Sequence, residues 1–341
     1  MSIGILGTGS YVPEWAVTNE EIARRVPGTS AEQIVTKTAI RSRRFAGPTE
    51  ATSDLAAAAA AAALEYAALP AERLDYLVVS TSTPDHPQPP TACLVQDRLG
   101  AYGAASFDVN AVCAGFVHAV VLARALVAAR PGSHALAIGA DLYSRILDFD
   151  DRRTAVLFGD GAGAAVIGPV PRSRGVIDFE LASRGDAHDL IGVAAGGSRR
   201  PASVKTLAGG EHLFRMKGRD VSEIVLTEVP PFVDKLLARA GTTAAEVDHL
   251  VPHQANGVLL DQLVERCGLA GAYTHRTVEM YGNVGSAAVP LTLDEANRAG
   301  RLADGDLVLL LGFGGGMSMG ACLLRWAAPL RADSPISSPG K

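Results

Sequence analysis

Three residue types, widely separated in a 341-residue chain, have the chemistry to make and break a thioester: Cys113, His253 and Asn283. Cys113 lies in SFDVNAVCAGFVHAVVLARALVAARPG, where an extended run ends near Asn110 and a helix opens. The helix is apolar on nearly every face (Phe116, Val117, Ala119, Val120, Val121, Ala123, Leu126), which predicts burial. A cysteine in its first turn sits at the positive end of the helix dipole beside unpaired backbone N–H groups, and both favour the thiolate. Ala114 and Gly115 leave room for a substrate, and a backbone N–H there can help hold an oxyanion. Taken alone, this context leaves a buried structural cysteine the commoner outcome.

The second half adds the other two groups. His253 in VPHQAN follows an expected strand, and Asn283 in YGNVGSAAVP sits in a glycine-flanked turn before a helix. Both occupy strand ends, where open α/β sheets place their ligands. In FGGGMSMG, Gly314, Gly315 and Gly316 follow the run LVLLLG. They turn the chain between hairpin strands and also let a backbone N–H approach a substrate carbonyl. Neither segment carries the acid of a Ser-His-Asp triad, and no GxSxG elbow is present. GDGAGAAV lacks the GK[ST] ending and following helix of a phosphate loop, which excludes nucleotide binding there.

Alternating elements must position these groups. Strands are expected at 77–81, 106–109, 136–139 and 164–167, with a helix capped by Ser53 or Asp54 ahead of the 56–63 alanine run. This order argues for an α/β fold with a largely parallel sheet. The grammar then repeats: Asp75 matches Asp248, Cys113 falls opposite Ser286, and Gly139 matches Gly312, each pair 173 residues apart. A shared offset implies two similar halves with a site where they meet. The expected divisions are 1–171 with the nucleophile, a linker or cover at 172–210, 211–327 with His253 and Asn283, and a disordered tail at 328–341.

The bulk numbers exclude several function classes. Apolar residues are 48%, charged residues 20%, and the net charge is −5, so the chain is globular and has no broad basic field for nucleic acid. The apolar stretches read as alanine-rich or too short for a bilayer, and MSIGILGTGSYVP has no basic leader, so a cytoplasmic protein off the membrane is expected. Cys93, Cys113, Cys267 and Cys322 show neither zinc nor disulfide spacing.

With those residues assembled, the chain resembles the ketoacyl-ACP synthase III family of the thiolase superfamily over about residues 3–327. The motifs are GTGSYVP, TKTAIRSRR, DVNAVCAGF, LFGDGAGAAV, VPHQAN, YGNVGSAAVP and FGGGMSMG, in the family's order. The resemblance implies a duplicated five-layer α-β-α-β-α fold of the α/β class, a homodimer and a Cys-His-Asn triad. It makes Cys113 the acyl acceptor, and His253 and Asn283 the donors that hold a malonyl thioester and the enolate left by decarboxylation. It gives the oxyanion site to the N–H groups of Cys113 and Gly315, and Phe313 a place beside the thiol. Neither metal nor redox cofactor is required; CoA or acyl-carrier-protein thioesters are the substrates.

Departures from the family qualify the substrate. Gln33 stands where a tryptophan often stacks on the CoA adenine, and Gly257 and Val258 follow HQAN where an arginine is common. Gln88 replaces an aromatic residue that lines the acyl pocket across the dimer, which suggests a shorter or more polar acyl group. Arg152 matches a CoA-contacting arginine, while Arg215, Lys217 and Arg219 offer an acidic carrier protein a cationic landing site. Pro230 and Pro231 predict a kink in a helix. The expected function is a priming condensation of polyketide type: acylation of Cys113, then decarboxylative attack by malonyl-ACP to give a 3-oxoacyl product. The alternative is acyl transfer to a hydroxyl or amine without decarboxylation.

Overall fold

The computed structural model describes residues 2–328, so all but the first residue of the tail expected at 328–341 lies outside the described residues. Two five-stranded sheets form the frame. The first holds β1 (Ser2–Tyr11), β2 (Tyr76–Ser80), β3 (Ala105–Val109), β4 (Ala135–Leu142) and β5 (Asp160–Val170), arranged β1-β5-β4-β2-β3. The second holds β6 (Gly175–Ser183), β7 (His249–Pro252), β8 (Tyr273–Thr274), β9 (Leu307–Gly314) and β10 (Ser318–Arg325), arranged β6-β10-β9-β7-β8. Each strand of the second sheet takes the place held in the first by the strand five earlier. In both sheets the three strands at one end run parallel, and the two at the other end are antiparallel.

Alternation along the strands explains the layers. Leu77 and Val79 of β2 point into an outer cluster with Leu55, Ala59 and Val95, while Val78 joins a central cluster with Phe116 and Val289. Leu307, Leu309 and Leu311 of β9 face the other outer cluster, and Val308 and Leu310 face the centre. A strand buried on both faces needs helices on both sides. Helices α1 (Thr52–Tyr66) and α2 (Thr91–Leu99) cover the first sheet, and α3 (Gly115–Ala129) lies in the centre. Helices α4 (Gly218–Arg239) and α5 (Gly257–Arg266) cover the second sheet, and α6 (Ala288–Arg298) joins α3 between the sheets. The result is the thiolase-like α-β-α-β-α stack. With the turn before it, α3 makes an 18-residue stretch apolar enough to cross a bilayer, longer than the sequence suggested; here it packs in the protein core.

The duplication extends to single hydrogen bonds. Asp75 accepts the His134 N–H (3.0 Å) and Asp248 accepts the Leu307 N–H (2.8 Å), which are 173 residues apart at both ends. The halves meet backbone to backbone at the paired glycines. A Cβ on Gly139 would lie 2.4 Å from the Ser286 carbonyl oxygen, and one on Gly312 would lie 2.9 Å from the Ala114 Cα.

Two expectations change, and the prolines of α4 find their place. The 172–210 segment is not simply a linker: β6 forms an edge of the second sheet, and Ile191–Val193 pairs with Phe214–Met216. Helix α1 starts at Thr52, so Ser53 and Asp54 lie inside it; Asp54 reaches back to accept the Ala51 N–H (2.8 Å). Helix α4 runs unbroken through Pro230 and Pro231. The Leu226 carbonyl, which Pro230 cannot satisfy, is met by Arg266 Nη1 at 3.3 Å.

The glycine contacts make a stability prediction. Gly139→Ala should destabilise the fold by about 1–3 kcal/mol, as overpacking against rigid backbone does. A lower urea midpoint at unchanged slope checks it.

Candidate active site

Cys113 sits on a tight elbow. After β3, the Asn110 side-chain oxygen accepts the Val112 N–H (3.1 Å), Val112 adopts φ +48°, and Cys113 lies in the 3-10 turn Val112–Ala114 that leads into α3. Positive φ at a β-branched residue is strained by on the order of 1–3 kcal/mol and persists only where the surroundings dictate it. The surroundings here are close. A Cβ on Gly115 would fall 1.9 Å from the Ser80 hydroxyl, and one on Gly314 would fall 2.7 Å from the Cys113 Cβ.

Asn283 occupies the equivalent elbow of the other half. Its Oδ1 accepts the Gly285 N–H (3.0 Å), and Gly285 has φ +58° where Val112 has +48°. Asn283 bridges to Phe158, donating its N–H to the Leu157 carbonyl (2.8 Å) while its own carbonyl accepts the Gly159 N–H (2.9 Å). The buried Arg43 of the TKTAIRSRR motif braces that segment, donating to the Val156 carbonyl (2.7 Å) and to Asn19 (2.7 Å).

His253 follows β7, its N–H bonded to the Leu311 carbonyl (2.7 Å) and its ring edge-on to Phe313 at 5.2 Å. Its Nδ1 is buried and meets no hydrogen-bond partner among the described residues. Gln254, to which sequence reasoning gave no role, donates to the Pro252 and His275 carbonyls and accepts the Thr277 and Val278 N–H groups. It thereby ties the histidine loop to the segment leading to Asn283. Asn256 caps α5 through the Val258 and Leu259 N–H groups.

Comparison with known proteins matches this frame. Family models described as 3-oxoacyl-[acyl-carrier-protein (ACP)] synthase III and its C-terminal region match residues 107–185 and 237–326. The acetoacetyl CoA synthase NphT7 of Streptomyces sp. strain CL190 is 50% identical, covering 94% of this chain and 98% of that protein. The beta-ketoacyl-[acyl-carrier-protein] synthase III of Symbiobacterium thermophilum is 44% identical over 95% and 98%. The crystal structure of the Pseudomonas aeruginosa PAO1 synthase III superposes with a TM-score of 0.88 at 36% identity, over 97% and 100%. The chain belongs to the ketoacyl-ACP synthase III family. It is therefore an acyl-transferring, condensing enzyme, and the resemblance read from its motifs holds.

In this synthase, a cavity of about 410 Å³ leads from exposed Gln33, Lys37 and Arg152 to buried Val156, Leu157 and Asn283. Gln33 and Arg152 thus share one mouth, and Arg152 is steadied by the Gly28 carbonyl (2.8 Å). Lys37 was missed; its signal was the basic TKTAIRSRR motif. Gln88 stands on an exposed loop outside its own chain's cavity. Arg215 is paired with Asp148 (2.6 Å) and Lys217 with Asp189 (2.6 Å), so two of the three expected docking cations are already neutralised; Arg219 is exposed. Phe313 stands beside His253, and Gly314, not Gly315, abuts the nucleophile; Gly315 faces Ile191 and Val112.

Burial decides the charge states. It pushes the Cys113 thiol up to about 12, with the Asp141 charge adding to the rise and a hydrogen bond from Tyr143 opposing it. The thiolate expected from the helix start is thus not the resting form. Burial pushes His253 down to about 3, so its ring is neutral at working pH. The unfolded chain binds that proton more tightly between about pH 6.5 and about pH 3, and stability falls as pH drops through this window. The His253 ring resonances should stay fixed by NMR from about pH 8 to about pH 5, while an exposed histidine titrates near 6.5.

Proposed function

We propose that this enzyme accepts a short acyl group on Cys113 and condenses it with malonyl-ACP, losing carbon dioxide and releasing a 3-oxoacyl thioester. The observation that carries this reading is the pair of matching elbows that set Cys113 and Asn283 facing the seam between the halves. In the second elbow the Ser286 N–H binds a carboxylate oxygen of Asp141 at 2.7 Å, so this turn presents an N–H to an anion. In the first elbow the position equivalent to Asp141 is Gly314, which leaves the Cys113 N–H open for the oxyanion of a thioester adduct. On this reading the N–H of Gly315, next in the chain after the Gly314 that abuts Cys113, is the second donor.

His253 and Asn283 then hold the malonyl thioester carbonyl. Decarboxylation puts negative charge on that oxygen, and preorganised neutral donors stabilise it in a water-poor site. The neutral His253 ring matters twice: one ring nitrogen donates to the enolate oxygen, and no imidazolium is present to protonate the carbanion before it attacks. The carbanion then attacks the acyl carbonyl, and Cys113 leaves as the thiolate.

Tyr143 supports a short acyl group. It is fully buried beside Cys113, stacks on Phe158 at 4.4 Å and meets Phe214 edge-on at 5.4 Å, closing the space past the sulfur. Among the described residues the outer edge of β3 has no neighbouring strand, and Phe107 and Val109 are only half-buried. A second copy pairing there gives the homodimer and brings Gln88 toward the partner's pocket; light scattering at twice the chain mass is the expected result.

A second reading keeps the chemistry and delivers malonate on CoA. The already paired docking cations, the exposed Lys37 and Arg152 at the mouth, and a 50%-identical relative named as an acetoacetyl CoA synthase favour it. Comparing kcat/KM for malonyl-CoA and malonyl-ACP, with acyl-CoA primers of increasing length, separates the two. An enzyme that acylates Cys113 yet consumes neither malonyl thioester would sink both. Asn283→Ala should slow malonyl decarboxylation by about 100-fold or more while Cys113 still takes the acyl group, since one oxyanion donor is lost.

A further inference from the structure

Asn283 hangs from a segment that a buried cation holds in place. Its N–H donates to the Leu157 carbonyl (2.8 Å) and its carbonyl accepts the Gly159 N–H (2.9 Å), the two bonds of an isolated bridge between Phe158 and Asn283. The Asn283 Oδ1 is already taken by the Gly285 N–H, so Nδ2 is the group left to face the cavity, whose wall includes Val156, Leu157 and Asn283. The direction of that amide therefore depends on where residues 156–159 stand. The carbonyl just ahead of the bridge, that of Val156, accepts from Arg43 Nη2 at 2.7 Å. The packing leaves no slack. A Cβ on Gly282 would lie 2.6 Å from the Leu157 carbonyl oxygen, and one on Gly159 would lie 2.4 Å from the Tyr281 carbonyl oxygen and 3.0 Å from the Arg43 Cβ.

Arg43 is itself aimed by its neighbours. Its Nη1 donates to the Asn19 Oδ1 (2.7 Å), and Asn19 Nδ2 donates to the Ile40 carbonyl (2.7 Å), which fixes the asparagine amide and with it the guanidinium. The strand Ser42–Phe45 that carries Arg43 is also tied to the short helix ahead of Asn283. The Arg41 N–H donates to the Glu279 carbonyl (2.8 Å), and the Ser42 hydroxyl donates to the Met280 carbonyl (2.8 Å). Arg43 is fully buried, and both of its acceptors are neutral. Burial lowers it to about 10, so it stays charged at neutral pH. A buried cation without an ion pair costs stability. What arginine offers here is a planar fork that reaches two segments at once, which a lysine cannot do.

We propose that Arg43 is a positioning residue for the malonyl half-reaction: through the Val156 carbonyl it fixes the 156–159 segment, and so keeps the Asn283 amide aimed at the thioester oxygen that becomes the enolate. The proposal rests on Asn283 being a donor to that oxygen. Arg43 acts on the elbow of Asn283 alone, so acylation of Cys113 on the other elbow does not need it.

Arg43→Lys keeps the charge and loses the fork. With whichever of malonyl-CoA or malonyl-ACP the wild type consumes, kcat for decarboxylation should fall about 10-fold and KM should stay within about twofold. Acetylation of Cys113 by acetyl-CoA, read by intact mass, should stay within about twofold of wild type. In an Asn283→Ala background the same substitution should cause no further loss, because the residue it acts through is gone. An equal loss in that background, acetylation falling in step with decarboxylation, or an unchanged kcat would overturn the proposal. Should Arg43→Lys fail to fold, Asn19→Ala, which frees one prong of the fork, carries the same cycle. Amide exchange followed by NMR reads the brace without substrate. The Asn283 and Gly159 amides should exchange about tenfold faster in Arg43→Lys, with the Leu309 and Leu311 amides of β9 at wild-type rates. Uniform acceleration, or none at the bridge, would also overturn it. A wild type that decarboxylates neither malonyl thioester, while the bridge amides respond as stated, would count against the proposed function alone.

Discussion

The site depends on the backbone-to-backbone approach of the two halves. Gly139 touches the Ser286 turn and Gly312 touches the Ala114 turn, at distances that leave no room for a methyl group. These contacts fix both elbows against the opposite sheet and set the spacing between Cys113 and Asn283. The catalytic geometry is therefore made by rigid strands and turns, with Val112 at φ +48° as local strain that the packing holds in place. A gap of even a few tenths of an ångström between the sheets would be passed directly to the reacting atoms.

Charge is handled by the same tight packing. Cys113, His253 and Asp141 are all removed from water, and among the described residues none of them has a cation beside it. In so dry a site, forming a new isolated charge is expensive. A reaction there is favoured when charge develops next to donors already in place, such as the backbone N–H groups of the two elbows. The cations stand at the cavity mouth, where Lys37 and Arg152 remain in water.

Much of this was legible in the sequence because duplication leaves a constant offset. The 173-residue spacing matched two halves, and the strand ends before Cys113 and His253 were read correctly, but Asn283 follows the short helix Val278–Tyr281 rather than a strand and is held by its bridge to Phe158. Contacts that cross the seam were not legible. Tyr143 and Asp141 read as ordinary strand-end residues, since only folding brings Ser82, Ser286 and Cys113 around them. The 172–210 segment misled because its glycine, serine and arginine content resembles a linker, while β6 inside it is held by edge pairing with β10. The thiol misled for a different reason: the helix start favours a thiolate, but desolvation is the larger effect for a buried group.

The two elbows show how one ancestral turn can serve two purposes. Cys113 and Ser286 are equivalent, as are Gly314 and Asp141. Where Asp141 fills the second elbow, its carboxylate claims the Ser286 N–H and bridges to the Ser82 loop, so that turn is closed and structural. Where Gly314 leaves the first elbow empty, a side chain would strike the Cys113 Cβ and sit 2.9 Å from its N–H. The filled elbow shows what the open one is shaped to receive, an anionic oxygen at a backbone N–H. The same Asp141 that completes one elbow also gathers the Thr81, Ser82 and Thr83 hydroxyls, so a single buried carboxylate ties the loop after β2 to the turn that leads into α6.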